Sequence, residues 1–143
     1  MSKQLDFLKR MEGLSLEHGS SPFGQWLDGK VLKVDLGYSK LGFYGRLEML
    51  NSAGFIHEGI IGLLVNEAIG LAISTLGLPS LWCTTDLSME FFGNAWLDEK
   101  LTVTARVVGR EGPFIKIMVS VRKADGTKVA MASSDLTTKP ESG

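Results

Sequence analysis

Residues 51–68 read NSAGFIHEGIIGLLVNEA, and what this stretch becomes decides how the rest of the chain folds. From His57 onward, through Ile60, Ile61, Leu63, Leu64 and Val65 to Leu76, apolar residues fall on every side of a helical projection. A helix that is apolar all round must be buried all round, so the pattern predicts a core helix wrapped by the remainder of the chain. Gly77 and Pro79 end it. A membrane span is the competing reading. The run from Ile60 to Leu76 is shorter than the roughly 20 residues a bilayer requires. Asn66 and Glu67 also stand near its middle, where a charge costs roughly 2.5–3.5 kcal/mol on insertion scales.

Working outward, the downstream chain reads as strands. Leu87, Met89 and Phe91 alternate with Asp86, Ser88 and Glu90, and Leu101, Val103, Ala105 and Val107 alternate with Thr102, Thr104 and Arg106. Ile115, Ile117, Val119 and Val121 keep the same period, and Val129 to Thr138 closes the set. These predict half-buried antiparallel strands. Gly109 to Pro113 is expected to form a longer hairpin loop, and Asp125-Gly126 a tight turn that uses positive φ. Upstream, Lys30 to Leu36 predicts a strand with Leu32, Val34 and Leu36 on one face. Gly37-Tyr38 starts a turn, and a second extended segment is expected over Gly42–Leu50. Ser2 to Glu17 places Leu5, Leu8 and Met11 at helical spacing, with Phe7 and Leu14 widening the stripe, and should stop near His18-Gly19. The fold class is therefore α+β, an antiparallel sheet wrapped around one long central helix. Residues 1–143 form a single domain with an N-terminal helical extension over about 2–18. An open sheet of this kind leaves edges, so self-association is expected.

Composition narrows the function. Of the 143 residues, 44% are hydrophobic and 22% charged, the balance of a globular chain that buries a core. A net charge of −1 supplies no broad field for nucleic acid or an anionic membrane. One cysteine, Cys83, cannot close an internal disulfide, which suits a reducing compartment, the cytoplasm. The opening MSKQLDFLKRMEGL lacks an unbroken apolar run and carries Asp6, unlike a signal peptide.

With Asn51, Gly54, His57 and Gly59 at the helix entrance, the chain resembles the hotdog-fold acyl-CoA thioesterases of the phenylacetyl-CoA, PaaI-like type. Members read Asn-x-x-Gly-x-x-His-Gly-Gly followed by an acid within the same helix. This chain reads NSAGFIHEG and then Asn66. FFGNAWLDEKLTV and GREGPF resemble the family's later strand, turn and hairpin. The resemblance covers roughly Asn51 to Thr138 and implies a hotdog fold. It also implies an acyl-CoA or related thioester as ligand, and a homodimer or homotetramer in which a partner subunit completes the site. It calls for no cofactor and no metal.

The residues carry chemistry suited to a thioester. A helix N-terminus presents free N–H groups and the positive end of the dipole. The amide of Gly59, with that of Glu58, is placed to polarise a carbonyl and stabilise an oxyanion. Asn51 either orients substrate or water, or satisfies a turn. His57 either positions the carbonyl or begins the helix. Thr84 and Thr85 occupy a strand in which the family often has a hydroxyl near the site. Arg110 and Lys116 either meet CoA phosphates or belong to a solvated hairpin. Cys83 as a nucleophile lacks a Cys–His signature among only two histidines.

The departure lies at position 66, where the resemblance places a carboxylate and the chain has an amide. Asn66 cannot serve as general base or nucleophile, although it can position water. Glu58, at the helix mouth, and Glu67, beside Asn66, are the replacement acids. Gly59 and Asn66 share a helix face while Glu67 points elsewhere, so Glu58 comes first. Two functions follow: hydrolysis of an acyl-CoA thioester at a subunit interface with a relocated acid, or non-catalytic acyl-CoA binding on the same fold.

Overall fold

The computed structural model describes residues 3–15, 21–78 and 81–139. Two short helices, α1 (Lys3–Lys9) and α2 (Pro22–Leu27), lead into a hairpin of β1 (Lys30–Asp35) and β2 (Tyr38–Tyr44). The long helix α3 (Glu58–Ser74) follows, then β3 (Leu81–Phe91), β4 (Lys100–Glu111), β5 (Phe114–Lys123) and β6 (Lys128–Lys139). The six strands make one sheet in the order β1-β2-β4-β5-β6-β3, each neighbouring pair antiparallel. This is the α+β architecture expected, a sheet wrapped around a central helix.

The core lies between α3 and the concave face of β2, β4 and β5. Ile61, Leu64, Val65, Ala68 and Ile69 bury against Leu41, Phe43, Leu101, Val103, Ile117 and Val119. Leu101, Val103 and Ala105 of β4 and Ile115, Ile117, Val119 and Val121 of β5 point inward at period two, as expected. Two buried hydroxyls fix the helix to β2 and the turn before it. Ser39 donates to the Ala68 carbonyl at 2.7 Å. Thr75 donates to the Ala72 carbonyl and accepts from the Gly37 amide at 2.7 Å, leaving neither group unsatisfied in the core.

Several expectations are corrected. Helix α3 is not buried all round: Gly59, Asn66, Gly70 and Ser74 form an exposed stripe along it. Gly, Asn and Ser contribute so little to an apolar pattern that the stripe was hidden among leucines and isoleucines. The N-terminal helix covers Lys3–Lys9 rather than Ser2–Glu17, and Phe7 and Leu14 are exposed rather than part of its buried stripe. Its expected stop at His18-Gly19, like Pro79, lies outside the described residues. In β1 the register slips between Val31 and Lys33, so Leu32 is an extra residue. A bulge reverses the alternation beyond it, which is why Val31 and Val34, three residues apart, are both buried; Leu36 is exposed because β1 ends at Asp35 and Leu36 lies in the turn. The second strand begins at Tyr38, and Leu47–Met49 is a 3₁₀ turn, not strand. The 109–113 loop is tighter than expected, because β4 and β5 stay paired out to Glu111–Phe114. The Asp125-Gly126 turn has Gly126 at φ 90°, as its sequence predicts. The Thr127 hydroxyl, and after it the Thr127 amide, hold the Asp125 carboxyl below its ordinary value.

The largest correction concerns β3. Its alternation predicted a half-buried strand, yet Leu87 and Phe91 are 41% and 42% exposed and Thr84 to Ser88 are all open. Among the described residues it pairs with β6 on one side only. The opposite sheet edge, β1, is covered: Gly13 donates to the Val31 carbonyl and Val31 donates to the Leu14 carbonyl.

Candidate functional site

The mouth of α3 is built from three backbone segments. His57 caps the helix in an extended conformation, and its amide donates to the Met49 carbonyl at 2.8 Å. Ile56 donates to the Ala95 carbonyl at 2.7 Å, and the Phe55 and Trp96 rings meet edge to face at 5.7 Å. Gly45 lies beneath: a Cβ there would run into the Trp96 carbonyl oxygen and stand 2.9 Å from Ile56. The glycine is required by this close approach. The Leu47–Met49 turn that follows it is held by Arg46, which donates to Glu48 at 2.9 Å. The Glu48 carboxyl sits below its ordinary value, mainly through its own backbone amide and then through Arg46.

The loop from Asn51 to Phe55 closes on itself. The Asn51 amide donates to the Phe55 carbonyl at 2.8 Å, and its side-chain oxygen accepts from Ala53 at 2.9 Å and from Phe55 at 3.3 Å. This is an Asx turn; in the Leu50–Ile56 bridge that follows, Asn51 stands opposite Phe55 and Met49 opposite His57. Gly54, at φ 91°, takes a turn conformation that a side chain would strain.

The four amides of the first helical turn are unequally employed. Ile60 and Ile61 donate to the His57 carbonyl at 2.9 and 3.2 Å. Gly59 donates to His57 Nδ1 at 3.1 Å. The Glu58 amide meets no acceptor among the described residues. A neutral imidazole that accepts at Nδ1 carries its hydrogen on Nε2. The mouth therefore presents two donors to an incoming oxygen, the Glu58 amide and His57 Nε2–H. The Gly59 amide, singled out from sequence, is held by His57.

The structure places the sequence-predicted residues in four groups. Asn51, His57, Glu58 and Gly59 form the mouth. Asn66 lies seven residues beyond Gly59 on the same exposed stripe, roughly 10 Å along the axis. Glu67 is half-buried on the neighbouring face and accepts from the Ser21 hydroxyl at 3.0 Å. Ser21 also caps α2 by accepting from the Gly24 amide at 3.1 Å, which gives Glu67 a structural task. Thr84, Thr85 and Cys83 stand on the open β3 strand, and Thr85, at a bulge, donates to the Asp135 carbonyl at 3.1 Å. Arg110 is exposed beside the β4–β5 turn, and Lys116 pairs with Asp135 at 3.9 Å. Helix α2 was missed from sequence, although Ser21 followed by Pro22 is the signature of an N-cap and first helical position.

Among the described residues no cluster of three or more His, Cys, Asp or Glu side chains forms a metal site. None of the described helices is long and apolar enough to cross a membrane.

Known proteins share this arrangement. The thioesterase superfamily model matches residues 53–130, which span α3, β3, β4, β5 and the start of β6. A protein of Archaeoglobus fulgidus named "Putative esterase" is 28% identical over 106 residues, 74% of this chain and 68% of that protein. The E. coli PaaI protein from the phenylacetic acid degradation operon superposes with a TM-score of 0.79 at 16% identity, over 85% of this chain and 86% of that one. A Streptococcus mutans protein bound to acetyl CoA superposes at 0.76 with 22% identity, over 85% of this chain and 94% of that one. The first turn of α3 and strands β3 to β5 lie within the matched region, and the chain belongs to the thioesterase superfamily and has its hotdog fold.

Proposed function

We propose that this protein hydrolyses an acyl-CoA thioester at the mouth of α3, with Glu58 as the acid that replaces the carboxylate absent at position 66. The observation that carries the reading is the first turn of α3, where an exposed carboxylate and two unengaged donors lie within one residue of each other. The Glu58 carboxylate takes a proton from water as the water oxygen attacks the thioester carbonyl carbon. The carbonyl electron pair moves to oxygen, which faces the Glu58 amide and His57 Nε2–H. Collapse breaks the C–S bond, and the leaving thiolate recovers the proton from Glu58, giving a carboxylic acid and free coenzyme A. Glu67 is the weaker candidate because its carboxylate is engaged with Ser21.

A coenzyme A ligand is supported by family membership and by the structural relative that holds acetyl CoA. A site completed by a second copy is supported by the open β3 edge beside a covered β1 edge. In that assembly Asn66 of the partner subunit positions the water. The single exposed Cys83 suits a reducing cytoplasm. Asn66 itself favours a second reading, a non-catalytic acyl-CoA binder, because an amide cannot ionise to act as base.

Assaying short, medium and aromatic acyl-CoA thioesters with wild type, Glu58→Gln and Asn66→Asp separates the two. Turnover in wild type that Glu58→Gln abolishes supports the relocated acid. Binding without turnover in wild type, with activity gained in Asn66→Asp, overturns hydrolysis and leaves the binder.

A further inference from the structure

A groove of about 350 Å³ lies between α2 and the first two turns of α3, lined by Pro22, Phe23, Trp26, Ile60 and Leu63. We infer that this groove is the acyl subsite, and that it takes an uncharged apolar acyl group much larger than acetyl, a chain of about eight carbons or an aryl-bearing equivalent. The inference rests on the proposed thioester site and names the part of the ligand that site would select.

Three observations carry it. The first is continuity. Ile60 follows Gly59 directly, and Ile60 and Leu63 stand on the helix face next to the stripe of Gly59 and Asn66. The groove floor therefore begins within one residue of the mouth, within reach of an acyl chain whose carbonyl is held there. The second is that the groove is built. Phe23 and Trp26 are 62% and 40% exposed, yet the short helix that carries them is fixed at both ends. Ser21 ties its start to Glu67, and Arg46 ties its end by donating to the Leu27 carbonyl at 2.9 Å and to the Trp26 carbonyl. The Arg46 guanidinium also lies 4.9 Å from the Trp26 ring, holding the wall in place. The third is charge. Among the described residues, no ionisable side chain lines the groove. Glu67 is bonded to Ser21, and Arg46 is engaged with two carbonyls and Glu48. A terminal carboxylate on the acyl chain would lose its hydration there with no cation to replace it.

Size decides between acyl groups. A cavity of about 150 Å³ holds benzene, so an acetyl group leaves most of this groove empty. The larger cleft of about 470 Å³ is not an alternative, since Lys33, Asp35 and Arg106 line it. It also lies by Gly37, at the Thr75 end of α3, roughly 25 Å from the mouth.

The test is equilibrium binding by calorimetry of non-hydrolysable 2-oxoalkyl-CoA thioethers to the full chain. The ligands carry a two-carbon chain, an eight-carbon chain, or a six-carbon chain ending in carboxylate. Wild type is expected to bind the eight-carbon ligand at least about tenfold tighter than the two-carbon ligand, with no gain for the carboxylate. Leu63→Trp, which fills the floor, and Phe23→Ala, which removes a wall, should each cut that ratio severalfold. Phe23 is exposed, so its variant keeps the test readable if Leu63→Trp does not fold. A wild-type ratio near one, or a ratio unchanged in the folded variants, overturns the groove. Turnover on the same preparations distinguishes the two readings. Absent turnover with the ratio intact removes hydrolysis and keeps the groove; turnover with a ratio near one does the reverse.

Discussion

The imidazole Nδ1 of His57 accepts a hydrogen bond from the amide of Gly59 at 3.1 Å, so the helix mouth is capped by the residue proposed to face the ligand. An acceptor at the N-cap is worth about 1 kcal/mol to a helix. His57→Ala is therefore expected to lower the melting temperature by a few degrees, and His57→Asn, which retains a side-chain acceptor, to recover most of the loss. Turnover should fall in both, since neither keeps an Nε2–H toward the carbonyl. Thermal unfolding beside steady-state kinetics reads the two effects separately, and full activity in either variant would exclude His57 from the chemistry.

The two acids near the site are expected to part company on mutation. Glu58→Gln removes a base without altering shape and should reduce kcat about a hundredfold or more with KM little changed. Glu67→Gln keeps an acceptor for the Ser21 hydroxyl and should leave kcat within about twofold, whereas Glu67→Ala unties α2 and should lower stability by about 1 kcal/mol. The reverse pattern of kcat losses would assign the acid to Glu67.

Gly45 sits where a side chain cannot. Gly45→Ala would force a methyl against the Trp96 carbonyl and to within 2.9 Å of Ile56, both parts of the mouth. Overpacking of this sort costs about 1–3 kcal/mol. A lowered urea midpoint with unchanged slope is expected, together with weaker ligand binding, because the displaced segments carry His57. An unaltered midpoint would show that the close approach is easily relaxed.

Leu87 projects from the open strand with 41% of its surface exposed. If β3 pairs with its counterpart in another copy, Leu87→Lys places like charges near the seam and should shift sedimentation from dimer toward monomer, most clearly at low salt. Activity should fall in parallel if the partner completes the site. A wild type that sediments as monomer at assay concentration would remove the shared-site reading.

Much of this was legible in the sequence because the signals were local. The helix from His57 onward, the period-two strands over 101–107 and 115–121 and the turn at Asp125-Gly126 each depend on residues adjacent in the chain. What failed depended on distant partners. Nothing near Leu32 announces a bulge, which arises from how β1 meets β2. Alternation at Leu87, Met89 and Phe91 identified a strand but not that its face lacks cover within the chain. Gly59 was rightly placed at the mouth, but its capture by His57 is a matter of side-chain direction that spacing does not contain. Glu67 stands beside Asn66 in the chain, and nothing near it in sequence announces its bond to Ser21, forty-six residues earlier.

The unequal edges of the sheet have one more implication. With β1 capped by residues 13–15 and β3 open, the described residues of each chain offer a single strand valence. Two such chains meeting edge to edge satisfy each other and leave no strand for a third, so the pairing terminates itself instead of growing into a filament. Any larger closed assembly must then be joined through faces rather than edges, and the two kinds of contact can be broken independently.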